Sequence, residues 1–182
     1  LHTHRVLKEA LGHAVKWGIL TRNVADSVSP PRREEKEMEM WDIPTIHKFL
    51  DLCDNGKSIY GELFSFAIHT GLRRSEVCGL KWDVVDLERG RLEVVATLQQ
   101  IRGQGLVTGA PKTTKSRRNI ALGPATIELL RVVQGSQQLA KIEAGSLWRE
   151  QGYVFTQAYG SPVLPGTLTE NFKDLTRQLE MP

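Results

Sequence analysis

From the amino end, apolar residues recur at helical spacing. Val6, Leu7, Ala10, Leu11, Ala14 and Val15 share one face of a helix over residues 5 to 17, and Gly18 breaks it. A helix that is apolar on one face has to pack on something. Asn23 to Val28 reads as a short helix opened by Asn23 as its cap. Pro30 and Pro31 follow, and the charged run Arg32 to Glu39 reads as a solvated linker. Periodicity resumes with Ile43, Ile46, Phe49 and Leu50, which predict one helix, and with Leu63, Phe64, Ala67 and Ile68, which predict another ending near Gly71.

The pattern then changes. Arg91 to Ile101, Leu106 to Ala110 and Arg117 to Leu122 read as strands, separated by the turn-rich pieces Gly103-Gln104-Gly105 and Pro111 to Ser116. Together they predict a three-stranded antiparallel sheet whose second turn is basic. Pro124 sits where a helix would start. Ile127, Leu129, Leu130, Val133, Leu139 and Ile142 carry a helical pattern onward, weakened in the middle by Gly135. Tyr153 to Thr156 reads as a short strand, and Leu168, Phe172, Leu175 and Leu179 as a last helix. The expected fold class is α+β, mainly α, with one small antiparallel sheet. About 30 residues precede the linker, too few to close an independent core. Residues 1–31 are therefore expected to be the remnant of one domain, 32–41 a linker and 42–182 part of a second domain.

Composition changes this picture little. The 182 residues are 40% hydrophobic and 25% charged, ordinary for a soluble globular chain, which argues against disorder or a fibre. The net charge of +3 tolerates a polyanionic partner without requiring one. Its distribution says more: no Asp or Glu occurs from Val94 to Ile127, where Arg102, Lys112, Lys115, Arg117 and Arg118 all fall. Cys53 and Cys78 lack CxxC spacing and paired histidines, so they read as buried thiols in a reducing compartment. No metal or cofactor is expected, nor any membrane span or secretory signal, and the expected location is cytoplasmic.

Two segments carry candidate chemistry. Thr70-Gly71-Leu72-Arg73-Arg74-Ser75-Glu76-Val77-Cys78-Gly79-Leu80 breaks a helix at Gly71 and places Arg73 at the start of another. A guanidinium there suits a phosphate: its planar fork makes two parallel hydrogen bonds, it stays charged, and helix-start amides add positive potential. Taken alone, an arginine at a helix start is more often a solvated surface charge. The second segment is Ala110-Pro111-Lys112-Thr113-Thr114-Lys115-Ser116-Arg117-Arg118-Asn119-Ile120-Ala121-Leu122. Taken alone, such a turn is more often a device that keeps a sheet edge soluble.

In combination and at this spacing, the two segments resemble the tyrosine recombinases, or phage integrase family, and Lys81-Trp82 with Val85-Asp86-Leu87 extend the likeness. The resemblance implies that Arg73 is the first catalytic arginine and that Glu76 supports it by hydrogen bonding; the other reading of Glu76 is an exposed helix carboxylate. Arg74 is expected to be exposed or to touch DNA. Lys112 would be the lysine on a β-hairpin that protonates the leaving 5′ oxygen, with Thr113, Lys115, Arg117 and Arg118 as DNA contacts. Residues 1–31 resemble the end of the family's core-binding, SAM-like domain, and Val154-Phe155-Thr156 with Gly160 and Pro162 match the strand before its later boxes.

A His-x-x-Arg box, a further His or Trp and a nucleophilic tyrosine would follow the last helix and are not found. His2-Thr3-His4-Arg5 lies far upstream, and Tyr60, Tyr153 and Tyr159 read as packing residues. The resemblance therefore implies a truncated catalytic domain, inactive alone. The intact protein would recombine double-stranded DNA through a 3′-phosphotyrosine and self-associate on it. A type IB topoisomerase-like enzyme and a non-catalytic DNA-binding module are the alternatives.

Overall fold

The computed structural model describes residues 2–30, 40–54, 58–110 and 117–179. The chain divides into two compact units, Leu1–Met40 and Trp41–Pro182.

The first unit holds helix α1 (His2–Lys16) and a 3-10 turn, Val24–Ser27. Asn23 caps that turn as expected, its Oδ1 accepting the Ala25 N–H at 3.0 Å, while its Nδ2 donates to the Lys8 carbonyl at 2.8 Å and ties the turn to α1. The apolar face of α1 forms but is not covered: no α1 residue is buried, and Val6 and Leu7 are about half exposed. The unit is a helix and a turn, too little chain to enclose that face.

The second unit runs in the order α2 (Ile43–Asp54), α3 (Gly61–Thr70), α4 (Arg74–Cys78), β1 (Val85–Asp86), β2 (Arg91–Val94), β3 (Thr97–Ile101), β4 (Gly105–Gly109), β5 (Arg118–Ala121), α5 (Pro124–Ala144) and α6 (Pro165–Gln178). Helices α2, α3 and α6 meet around an aromatic cluster, with Phe49 fully buried and its ring 5.2 Å from Trp41, 5.7 Å from Phe64 and 5.5 Å from Phe172. Leu63, Phe66, Val77, Leu92, Leu98, Leu130, Val154 and Val163 complete a single continuous core.

The sheet departs from expectation. A three-stranded antiparallel sheet exists, but its order is β1-β2-β5, and β3 with β4 forms a separate hairpin. The strand anticipated from Arg91 to Ile101 is broken at Val95 and Ala96. Its inward residues explain the break: Leu92 and Val94 alternate, but the next buried pair is Thr97 and Leu98, which no unbroken strand of period 2 can present to one core. The kink carries Leu98 over α4, where Gly79 leaves room. A Cβ on Gly79 would lie 2.8 Å from the Leu98 nitrogen. Consequently β4 and β5 belong to different sheets, β4 pairing with β3 and β5 with β2; the basic turn expected at 111–116 lies outside the described residues.

Two smaller expectations also change. Gly135 does not interrupt α5, and Leu139 and Ile142 on that helix are exposed. Tyr153 to Thr156 forms isolated bridges, Lys81 to Tyr153 and Thr156 to Pro162, in place of a strand.

Candidate functional site

Arg73 is placed by a chain reversal. Helix α3 ends at Gly71, whose φ of 63° is left-handed and whose N–H bonds the Ala67 carbonyl. Leu72 then drops into the core, and Arg73 adopts an extended conformation as the residue that opens α4. Glu76, one turn on, reaches back so that its Oε2 accepts the Arg73 backbone N–H at 2.8 Å, as in one half of a capping box. Its Oε1 accepts Arg73 Nη1 at 3.0 Å. One carboxylate thus holds both the backbone and the side chain of Arg73, while 69% of that side chain remains exposed.

Helix α4 has only five residues, and Glu76 already takes the Arg73 N–H. The helix-start potential expected to assist Arg73 is correspondingly small, because a macrodipole needs several aligned peptides. Charge at this site comes from side chains.

Glu76 is not an exposed helix carboxylate. Only 3% of its side chain is exposed, and a second arginine meets it: Arg118 Nη1 donates to Oε1 at 3.0 Å and Nη2 to Oε2 at 2.9 Å. Burial pushes the Glu76 carboxyl up, but the hydrogen bonds from Arg118, the Arg73 N–H and the Arg73 guanidinium outweigh it and hold its pKa down at about 2. The same pairing raises the pKa of Arg118. At neutral pH the group is one carboxylate between two guanidiniums, a net single positive charge.

Strand register brings Arg118 there. Antiparallel pairing sets Leu92 opposite Ile120 and Val94 opposite Arg118. Opposite residues project to the same face, and Leu92 and Val94 face the core, so Arg118 and Ile120 point inward and Arg117 outward. Among the expected phosphate contacts, then, Arg117 is exposed, whereas the Arg118 guanidinium is turned onto Glu76. The inward role of Arg118 was missed in the sequence, yet Arg118, Ile120 and Leu122 alternate, and that period placed Arg118 on the apolar face.

Arg74 is exposed and hydrogen-bonds the Thr169 hydroxyl, linking α4 to α6. Lys112, Thr113 and Lys115 lie outside the described residues. Tyr60 and Tyr153 are buried at 8% and 6% exposure, whereas Tyr159 is 52% exposed on a 3-10 turn. Both cysteines are buried. Among the described residues no group of acidic, His or Cys side chains could hold a metal, and no helix is long and apolar enough to cross a membrane.

Known proteins share this architecture. The chain is 28% identical over 97% of its length to a "Tyrosine recombinase XerC-like" protein of Caldanaerobacter subterraneus, and 28% identical over 82% to the ICEBs1 integrase of Bacillus subtilis. It covers 49% and 40% of those two proteins, about half their length or less. Its fold is that of the Tn1549 transposon integrase solved with a circular intermediate DNA, with a TM-score of 0.78, 20% identity and coverage of 97% of this chain and 57% of that one. A lambda integrase dimer bound to a COC' core site aligns with a TM-score of 0.64, 17% identity and coverage of 98% and 57%. The sequence model of the phage integrase family matches residues 41–181, which is nearly the whole second unit, the one that folds Arg73 onto Glu76. The chain therefore belongs to the phage integrase family.

Proposed function

We propose that this chain is part of a site-specific DNA recombinase in which Arg73 binds the scissile phosphate of double-stranded DNA. The observation that carries the reading is the Arg73–Glu76–Arg118 cluster. A buried carboxylate fixes the base of a guanidinium that is still 69% exposed, which is the arrangement an enzyme needs to offer a placed, permanent positive charge to a phosphodiester. In the whole protein a tyrosine hydroxyl attacks phosphorus, forming a 3′-phosphotyrosine. The bond to the 5′ oxygen breaks, and Lys112 supplies that oxygen with a proton. Arg74, Thr113, Lys115 and Arg117 position the duplex through its backbone. The solved relatives bound to DNA, one of them a dimer, support duplex DNA as the partner and self-association upon it. Residues 1–31 belong to the core-binding domain, consistent with the absence of buried residues on α1, and two buried cysteines without CxxC spacing fit a cytoplasmic location.

The test is a suicide substrate, a nicked duplex that traps protein covalently on DNA, applied to the intact gene product. Trapping by the wild type, a large loss with Arg73→Ala, and a Lys112→Ala defect that shrinks when sulfur replaces the leaving oxygen are expected. Trapping unaffected by Arg73→Ala would overturn the assignment. Binding without any trapping would leave a non-catalytic DNA-binding module as the correct description.

A further inference from the structure

We propose that Arg118 is a positioning residue for Arg73, acting through the Glu76 carboxylate that both guanidiniums share. This rests on the recombinase reading above and gives Arg118 a different part from a phosphate contact. Each Glu76 oxygen takes one donor from each arginine: Oε1 accepts Arg73 Nη1 and Arg118 Nη1, both at 3.0 Å, and Oε2 accepts the Arg73 N–H at 2.8 Å and Arg118 Nη2 at 2.9 Å. Arg118 is the inner partner, 32% exposed against 69% for Arg73. Its two-point grip fixes the plane of the carboxylate, because a guanidinium fork matches both oxygens at once.

Occupying the carboxylate in this way leaves Arg73 one side-chain bond to Glu76 and an outward-facing remainder. Without Arg118, Glu76 is a buried charge with a single cationic neighbour, and it would draw Arg73 into the two-point pairing itself. The guanidinium that should meet phosphate would then be turned inward. The inner site also ties two parts of the chain to one geometry: α4 carries Arg73 and Glu76, and β5, held in register by β2, carries Arg118.

A positioning role and a phosphate contact predict different defects. In the intact gene product, Arg118→Ala should slow covalent trapping at saturating nicked duplex by about 10- to 100-fold, the scale of a misplaced catalytic group. Duplex Kd should stay within about threefold, and the dependence of log Kd on log salt should be unchanged, since no phosphate contact is lost. Arg118→Lys, which keeps the charge but not the fork, should rescue only partly. In a Glu76→Gln background, removing Arg118 should add little further loss, because the two act as one unit.

Weakened Kd with a salt slope smaller by about one phosphate and normal trapping at saturation would overturn the proposal in favour of a direct DNA contact. Additive losses in the Glu76→Gln background would overturn it as well. If Arg118→Ala does not fold, Arg118→Lys and the neutral pair Glu76→Gln with Arg118→Gln supply the same comparison. A wild type that never traps DNA refutes the recombinase reading and this proposal with it, whereas a trapping wild type with unaffected Arg118 variants refutes this proposal alone.

Discussion

Glu76 shows how one residue's surroundings become a property of the whole domain. Its carboxyl titrates at about 2 in the folded protein against an ordinary 4.5, so ionised Glu76 stabilises the fold. For a depressed carboxylate that contribution is complete above the unfolded value and is lost as pH falls from about 4.5 through about 2. The shift corresponds to about 3 kcal/mol. Urea denaturation of the wild type should therefore lose roughly that much between pH 6 and pH 2, and Glu76→Gln should remove this part of the slope while lowering stability at pH 6. Equal pH slopes in the two proteins would show that Glu76 is not the ionised hub described here. Arg73→Ala, by contrast, should change stability by under about 1 kcal/mol, because its side chain is 69% exposed and its pairing is screened.

Among elements, the contact of α4 with β3 deserves its own test. Gly79 closes α4 at φ −94°, a conformation any residue adopts, so its requirement for glycine comes from space and not from backbone freedom. A Cβ there would meet the Leu98 nitrogen at 2.8 Å and the Thr97 carbonyl carbon at 3.0 Å, both backbone atoms that cannot rotate away. Gly79→Ala should destabilise by about 1–3 kcal/mol in chemical denaturation, the usual scale of overpacking. An unchanged midpoint would mean that β3 can lift from α4 freely. Strand β5 gives a second prediction, since alternation turns neighbouring arginines to opposite faces. Arg117→Ala should weaken duplex binding and reduce its salt slope by about 0.9, one phosphate's worth, with trapping at saturation intact. A change in trapping with no change in salt slope would show that Arg117 and Arg118 have been assigned to the wrong faces.

For the molecule as a whole, the 182-residue chain should bind duplex DNA weakly, steeply dependent on salt and without trapping it covalently. Two of its tyrosines, Tyr60 and Tyr153, are buried in the core, and Tyr159 is set on a separate 3-10 turn. A covalent adduct formed by this chain would identify one of them as a nucleophile. Binding that does not weaken between low and physiological salt would remove the phosphate contacts from the account.

How much of this was legible beforehand differs by kind of information. Local periodicity was enough for the helices α1, α2, α3, α5 and α6, for the break at Gly71 and for the Asn23 cap, because each is dictated by neighbours a few residues away. The Thr70 to Leu80 and Ala110 to Leu122 segments were enough for the family, because their residue types and order are specific. Neither source showed that Arg91 to Ile101 is two strands in two sheets. That break exists because Leu98 must reach the side-chain-free surface of Gly79, a contact between distant parts of the chain. Nor did local pattern distinguish Glu76 as exposed from Glu76 as buried hub. A carboxylate in a short helix takes either state, and only the register of β5 on β2, which delivers Arg118 from 42 positions away, supplies the second charge that allows it to be buried and ionised.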